Sequence, residues 1–265
     1  MKLMVVVPTF NEVQNLSALT AELFALNLDG LEILIVDDDS PDGTGELADD
    51  LARRYAGRFH VIHRTGRRGL GMAYRDGFRY ALDAGADLIV QMDADFSHSP
   101  EYIPQFMDDI REGYDVVVGS RYVPGGQLDE KWSLGRYLLS WWANSAYARP
   151  LLRLQVKDAT AGFKCWHRSA LLGIDLDTIR SNGYVFQVEM AYVCQRLGYR
   201  VSEIPIYFED RRIGQSKMSI PIKIEAALRV WEVWWRHRRL RPRATTRLPA
   251  GSVSLRAEGS HKSKR

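Results

Sequence analysis

Through the first 120 residues, short apolar runs alternate with stretches whose apolar positions recur at helical spacing. The runs predict strands over 3–7, 32–36, 60–62, 88–92 and 115–118, and the periodic stretches predict helices near 12–25, 45–55, 71–84 and 100–112. Ser99-Pro100-Glu101 has the makings of a helix start: a capping hydroxyl, proline at the first helical position, and an acid at the positive end of the dipole. Such strand–helix repetition predicts an α/β fold, a mostly parallel sheet with helices on both faces. Sheets of this kind bind ligands at the carboxyl ends of their strands. Beyond Arg121 the alternation breaks. A turn-rich loop, YVPGGQLDEKWS, leads into a long aromatic helix over 134–154 and a strand over 163–166. Helices near 169–172 and 185–197, an extended run over 200–208 and an aromatic-basic helix over 219–241 follow. From about Pro242 the composition is that of a tail, and no internal repeat is present.

The chain of 265 residues, 46% apolar and 26% charged, suffices for one large α/β domain or two small ones. Cys165 and Cys194 have neither metal-ligand spacing nor disulfide density, so a reducing, cytosolic compartment is expected. MKLMVVVPTFNE is too short in its apolar run for a signal peptide, and no run reaches the roughly 18 apolar residues of a membrane span. The net charge of +3 conceals a split: residues 236–265 carry ten Lys/Arg and one acid, Glu258, while the remainder carries 26 Lys/Arg and 32 acids. A basic tail on an acidic body suits an anionic surface, lipid headgroups or nucleic acid, or is simply solvated. Nucleic acid is disfavoured because no stacking platform or recognition motif accompanies the charge.

Three predicted strands end in acids. The first ends in VPTFNE, where Pro8 is expected to stop the ladder, Phe10 offers a ring and Glu12 opens a helix. The second ends in VDDDSPDGT and the fourth in MDADFSHSP, bringing Asp37, Asp38, Asp39, Asp93 and Asp95 to the same edge. Concentrated carboxylates suit a hard dication bridging to phosphates, hydrogen bonding to a sugar or base, or an acid/base pair. Any one of them also suits a cap or turn, as Asp42 in SPDGT does. No glycine fingerprint follows the first strand, which excludes a dinucleotide-binding dehydrogenase, and GLGMAYRDG lacks the Lys-Ser/Thr of a P-loop. Arg121 after VVVGS, and Arg211, Arg212 and Lys217 in FEDRRIGQSKMS, supply forks and point charges suited to phosphate.

Taken together, VVVPTFNE, VDDDSPDGT, GLGMAYRDG, MDADFSHSP, GSRY, GYVFQVEM and DRRIGQSKMS resemble the polyprenol-phosphate (dolichol-phosphate) mannosyltransferases. These are inverting members of glycosyltransferase family 2 with a GT-A fold. The resemblance spans residues 2–219. It implies a single GT-A catalytic domain over 1–240, which includes the closing aromatic-basic helix, and a basic, disordered tail over 241–265. It implies transfer of mannose from GDP-mannose to a polyprenyl (dolichyl) phosphate with a Mg²⁺ or Mn²⁺ cofactor. Peripheral attachment to the cytoplasmic membrane face, with or without an anchoring partner, follows from the lipid acceptor. Pro8, Phe10, Glu12, Val36 and Asp38 would hold the guanosine end of the donor. Asp93, Ala94 and Asp95 would form the metal and diphosphate site, Arg121 with Ser120 would meet the acceptor phosphate, and Arg211 and Lys217 would neutralise donor phosphates. Phe10 stands where relatives often carry Tyr, Ser97 where some carry a metal-holding Gln, and Asp39 where Gly is common.

A phosphate monoester with a second pKa of about 6 needs no strong general base. His98 is accordingly expected to serve loop structure rather than catalysis. Asp95→Ala or Arg121→Ala is expected to abolish transfer in a folded protein. Trp132, Tyr137, Trp141, Trp142 and Tyr147, and Trp231, Trp234 and Trp235 before RHRRLRPR, suit a headgroup layer or, alternatively, helix–helix packing. Another donor such as UDP-glucose, or a non-catalytic nucleotide-binding subunit, are the competing readings.

Overall fold

Alternate residues of β1 (Leu3–Thr9) face opposite ways and enter two different cores, which makes this strand the centre of the molecule. The computed structural model describes residues 1–130, 132–210 and 220–242, the last segment with side chains from Leu228 onward. Beside β1 run β2 (Leu31–Asp37), β3 (Phe59–His63), β4 (Leu88–Gln91) and β5 (Val116–Ser120). Two residues of β6 (Gln127–Leu128) come next in the chain, then β7 (Lys164–His167), β8 (Val201–Pro205) and β9 (Tyr207–Phe208). Among the described residues they form a seven-stranded sheet of order β3-β2-β1-β4-β7-β5-β8 and a small parallel ribbon, β6-β9. Every pairing in the main sheet is parallel except those of β7, which runs antiparallel between β4 and β5.

On one face Leu3, Val5 and Val7 pack against α1 (Val13–Ala25), α2 (Thr44–Arg54) and α4 (Ile103–Arg111) through Leu16, Leu19, Leu51 and Phe106. On the other, Met4 and Val6 meet Tyr74 and Phe78 of α3 (Leu70–Asp83). Burying each such side chain contributes about 1.5–3 kcal/mol. Ser99 caps a short 3₁₀ turn leading into α4, its hydroxyl accepting from the Glu101 amide, as the Ser-Pro-Glu pattern predicts.

Two expectations about local structure are corrected. Pro8 does not stop the ladder: β1 continues through Thr9, with Pro8 opposite Val36. Val6 turns its carbonyl to β4 and Thr9 turns its own to β2. Pro8 therefore faces the β4 side, where pairing has ended at Gln91, and no ladder donor is lost. The helix expected over 134–154 is composite. It consists of α5 (Leu134–Trp141), a π-helical stretch Trp142–Ala148, and α6 (Arg149–Leu152), which ends at Arg153 in the left-handed region, φ 52°. Pro150 cannot donate to the preceding turn, and Asn144 turns inward, accepting from the Ala159 amide at 3.0 Å and donating to the Lys157 carbonyl at 2.6 Å.

After α7 (Arg168–Gly173) come α8 (Gly183–Leu197) and α9 (Ile220–His237), which pack together through Val185, Val188, Val230 and Val233. Trp141 and Trp142 on the α5 arm and Trp231, Trp234 and Trp235 on α9 are exposed, so these rings do not serve as interhelical packing. Among the described residues no helix is long and apolar enough to cross a membrane. Arg211, Arg212 and Lys217 and the tail beyond Pro242 lie outside the described residues.

Candidate active site

The loops after β1, β2 and β4 meet at the carboxyl edge, and most of their polar groups hold one another. Asp37 accepts from Thr9 Oγ1 at 2.9 Å and from Ser40 Oγ at 2.6 Å, and Ser40 Oγ accepts the Asn11 amide. Asp42 accepts the amides of Thr44 and Val13, and Thr44 Oγ1 accepts the Glu12 amide. SPDGT thus ties the β2 loop to the start of α1, and Asp37 and Asp42 are spent on that scaffold. Burial opposes the charge of Asp42, but these hydrogen bonds outweigh it and lower its pKa.

Asp38 is also engaged, ion-paired with Arg64 and accepting the Gly69 amide at 2.8 Å. Gly69 sits at φ 155°, and a Cβ there would lie 1.9 Å from Asn182 Nδ2, so only glycine lets this turn back against the loop before α8. The Arg68 guanidinium lies 4.6 Å from the Phe10 ring centroid and donates to Asp39. Phe10 and Glu12 stand half-buried at the edge, with Glu12 accepting from Asn15 Nδ2 at 2.8 Å. The Val36 side chain is fully buried against Gly77 of α3, which leaves its backbone as the part facing the edge.

Asp93 and Asp95 follow β4 directly. Tyr74 donates its hydroxyl to Asp93 Oδ1 at 2.9 Å, and Asp95 Oδ1 accepts the Ser97 amide at 3.1 Å and the Ser97 hydroxyl. Both carboxylates lie near enough to Tyr74 and His98 to act electrostatically on each. Burial first, then the Asp93 charge, pushes the Tyr74 phenol well above its ordinary range. His98 is buried, accepts the Asp93 amide on Nδ1 at 3.1 Å, and stacks on Phe163 at 5.1 Å. Desolvation lowers its pKa, so it is a neutral loop support.

Among the described residues no cluster of three or more His, Cys, Asp or Glu side chains could hold a metal alone. Two hard carboxylates still fit Mg²⁺ or Mn²⁺, which take one or two protein carboxylates and complete their shell with substrate phosphate and water.

Arg121 and Ser120 depart from expectation. Ser120 is fully buried at the end of β5. The Arg121 side chain is buried as well, with Nε and Nη2 donating to both oxygens of Asp158 and Nη2 also to Thr160 Oγ1 at 2.7 Å. The fork, expected to grip an acceptor phosphate, anchors the loop 157–163 through this pair. Burial disfavours its charge, but the Asp158 carboxylate reverses the balance and holds the guanidinium above its ordinary pKa, while Asp158 is held low. Glu203 accepts the Lys157 and Asp158 amides, fixing the same loop from β8. It delivers Gly162 beside the carboxylates, where a Cβ would lie 3.0 Å from His98 Cε1 and 3.3 Å from Asp93 Oδ2.

Sequence reasoning missed Tyr74, Asp158, Thr160 and Gly162, none of which shares a local pattern with its partner. The one available signal was the polar KDATAG run ahead of a buried strand.

A model of glycosyl transferase family 2 matches residues 4–172. An undecaprenyl-phosphate mannosyltransferase from Micrococcus luteus is 44% identical over 87% of this chain and 93% of its own. The chain belongs to the polyprenol-phosphate mannosyltransferases of glycosyltransferase family 2. A second such relative, the polyprenol monophosphomannose synthase of Mycolicibacterium smegmatis, is 42% identical over 92% of this chain and 91% of its own. This mannosyltransferase has the GT-A fold. Among solved structures it resembles glucosyl-3-phosphoglycerate synthase from Mycobacterium tuberculosis, in a complex with Mn²⁺, uridine diphosphate and glucosyl-3-phosphoglycerate. The TM-score is 0.60 at 19% identity, covering 89% of this chain and 79% of that one.

Proposed function

We propose that this mannosyltransferase moves mannose from GDP-mannose to a polyprenyl monophosphate with inversion, releasing GDP. The observation that carries the reading is the placement of Asp93 and Asp95 in the loop that leaves β4, at the same sheet edge as the Phe10 and Asp38 loops. Phe10, Glu12 and the Asp38 turn bound the donor's nucleoside end. Asp93 and Asp95 are the residues that would hold a divalent cation, with Asp95 as the catalytic ligand. The bound cation supplies Lewis-acid neutralisation of charge on the departing diphosphate. Arg211 and Lys217 are assigned the neighbouring phosphate contacts from the sequence alone.

The chain's own residues do the remaining work by position. The acceptor phosphate is already anionic, so no side chain need take its proton, in keeping with the buried, neutral His98. Arg121 acts through Asp158, holding the 157–163 loop and Gly162 against the carboxylates. The acceptor's lipid chain stays in the bilayer, which the enzyme meets with the exposed tryptophans of α5 and α9. Arg238, whose guanidinium lies 4.6 Å from the Trp235 ring centroid, places a cation at headgroup level.

The test is transfer of labelled sugar from GDP-mannose, UDP-glucose and UDP-N-acetylglucosamine to a short polyprenyl phosphate, with and without EDTA. Mannose incorporation that EDTA stops supports the reading. Glucose incorporation without mannose incorporation, or full mannose transfer in EDTA, overturns it.

A further inference from the structure

A line of buried polar side chains runs beneath the carboxylates, and the reaction above gives it no part. Lys164 of β7 stands opposite Gln91 of β4 and is almost wholly buried. Its ammonium donates to Gln187 Oε1 at 2.7 Å, a neutral acceptor, and among the described residues no ion pair joins it to a carboxylate. The same Gln187 oxygen accepts Gln91 Nε2 at 2.7 Å. Gln91 also lies close enough to the Tyr74 phenol to act on it, and that phenol donates to Asp93 Oδ1 at 2.9 Å.

Each link fixes the polarity of the next. The Trp166 indole can only donate, and it donates to Gln91 Oε1 at 3.3 Å. The Gln91 amide nitrogen therefore faces Gln187 and Tyr74. Lys164 can only donate too, so Gln187 must present its oxygen, and its own Nε2 is left buried without a partner among the described residues. The phenol has a single proton, and it is committed to Asp93. An orphan donor and a buried ammonium are both costly, and a packed apolar core would avoid them.

We propose that Tyr74 is a positioning residue of the cation site: its hydroxyl, set beside the Lys164–Gln187–Gln91 array, holds Asp93 Oδ1 and so fixes the orientation of that carboxylate. The inference rests on the functional reading above and adds to it the residue that sets the geometry of Asp93.

The test is Tyr74→Phe, which removes only the hydroxyl and keeps the ring on Phe186 and Phe78, 5.7 and 5.8 Å between centroids. Mn²⁺ binding to the GDP complex is measured by the paramagnetic resonance of free Mn²⁺, and GDP binding in EDTA by calorimetry. The expected result is Mn²⁺ affinity about 10–100-fold weaker, the usual effect of losing an outer partner of a metal ligand, with GDP binding in EDTA unchanged. Mn²⁺ affinity equal to wild type overturns the inference and leaves the functional reading intact. A parallel loss of GDP binding in EDTA assigns the hydroxyl a purely structural part and also overturns it. Absence of Mn²⁺ binding by the wild-type GDP complex sinks the functional reading and this inference with it.

Discussion

Arg121 and Asp158 form a two-point ion pair, Nε and Nη2 meeting the two carboxylate oxygens at 2.7 and 2.8 Å, with side-chain exposures of 4% and 0%. Removing one partner strands the other charge in the interior, which costs about 3–5 kcal/mol. Arg121→Ala should therefore lose both stability and activity, a revision of the folded, inactive protein that the sequence suggests. The double variant Arg121→Met/Asp158→Leu should regain most of the stability in urea unfolding while transfer stays low. A single Arg121→Ala variant as stable as wild type contradicts the pairing.

Asp95 accepts hydrogen bonds from the Ser97 amide and hydroxyl, two residues along the chain. Asp95→Ala should lower kcat about 10²–10³-fold, the scale of losing a group that stabilises developing charge. Its stability cost should be near 1 kcal/mol, as for a lost cap. Steady-state transfer and urea unfolding on the same preparation check both numbers, and near-normal kcat excludes Asp95 as a ligand.

Burial lowers the Lys164 pKa from 10.5 to about 8. The unfolded chain holds this proton more tightly, so between pH 8 and 10.5 it binds more protons than the native state. The penalty is fully present below pH 8 and is relieved as pH rises toward 10.5, so stability gains from this residue across that window. Lys164→Met should remove the gain, on the order of 3 kcal/mol. Urea unfolding of both proteins from pH 7 to 10.5 measures the difference between them. A difference that stays constant with pH refutes the shift.

Trp231 and Trp235 are 54% and 66% exposed on α9. Trp231→Ala/Trp235→Ala should reduce co-sedimentation with anionic vesicles about tenfold or more, since each ring contributes more than 1 kcal/mol at an interface, without lowering the melting temperature. Binding by wild type should also weaken with salt. Equal, salt-insensitive binding by both proteins removes α9 from the membrane contact.

The sheet was readable because buried strands leave unbroken apolar runs, and four of the five runs in the first half stop at a proline, an aspartate or a glycine. Predicted and observed strand ends there differ by no more than two residues. Acids at strand ends were readable for the same reason, since the end of the run locates the edge. Pro8 misled because a residue's identity does not tell which neighbouring strand its missing N–H would face. The Arg121 ion pair was not readable because its partner lies 37 residues away in a loop without periodicity. The Tyr74 array is invisible to spacing altogether: its side chains come from α3, β4, β7 and α8, and only the packed sheet brings them into line.

The reversed strand β7 also sets an order of assembly during synthesis. β3, β2, β1 and β4 have all their mutual partners once the chain has emerged through Gln91. β5 is complete at Ser120, yet its two neighbours are Lys164–His167 and Val201–Pro205, both still unmade. The Val116–Val118 segment must therefore wait on the ribosome with both edges open, a template for wrong pairing. The half built on β1 to β4 matures first, and the half carrying Arg121 is stitched on by a single late strand.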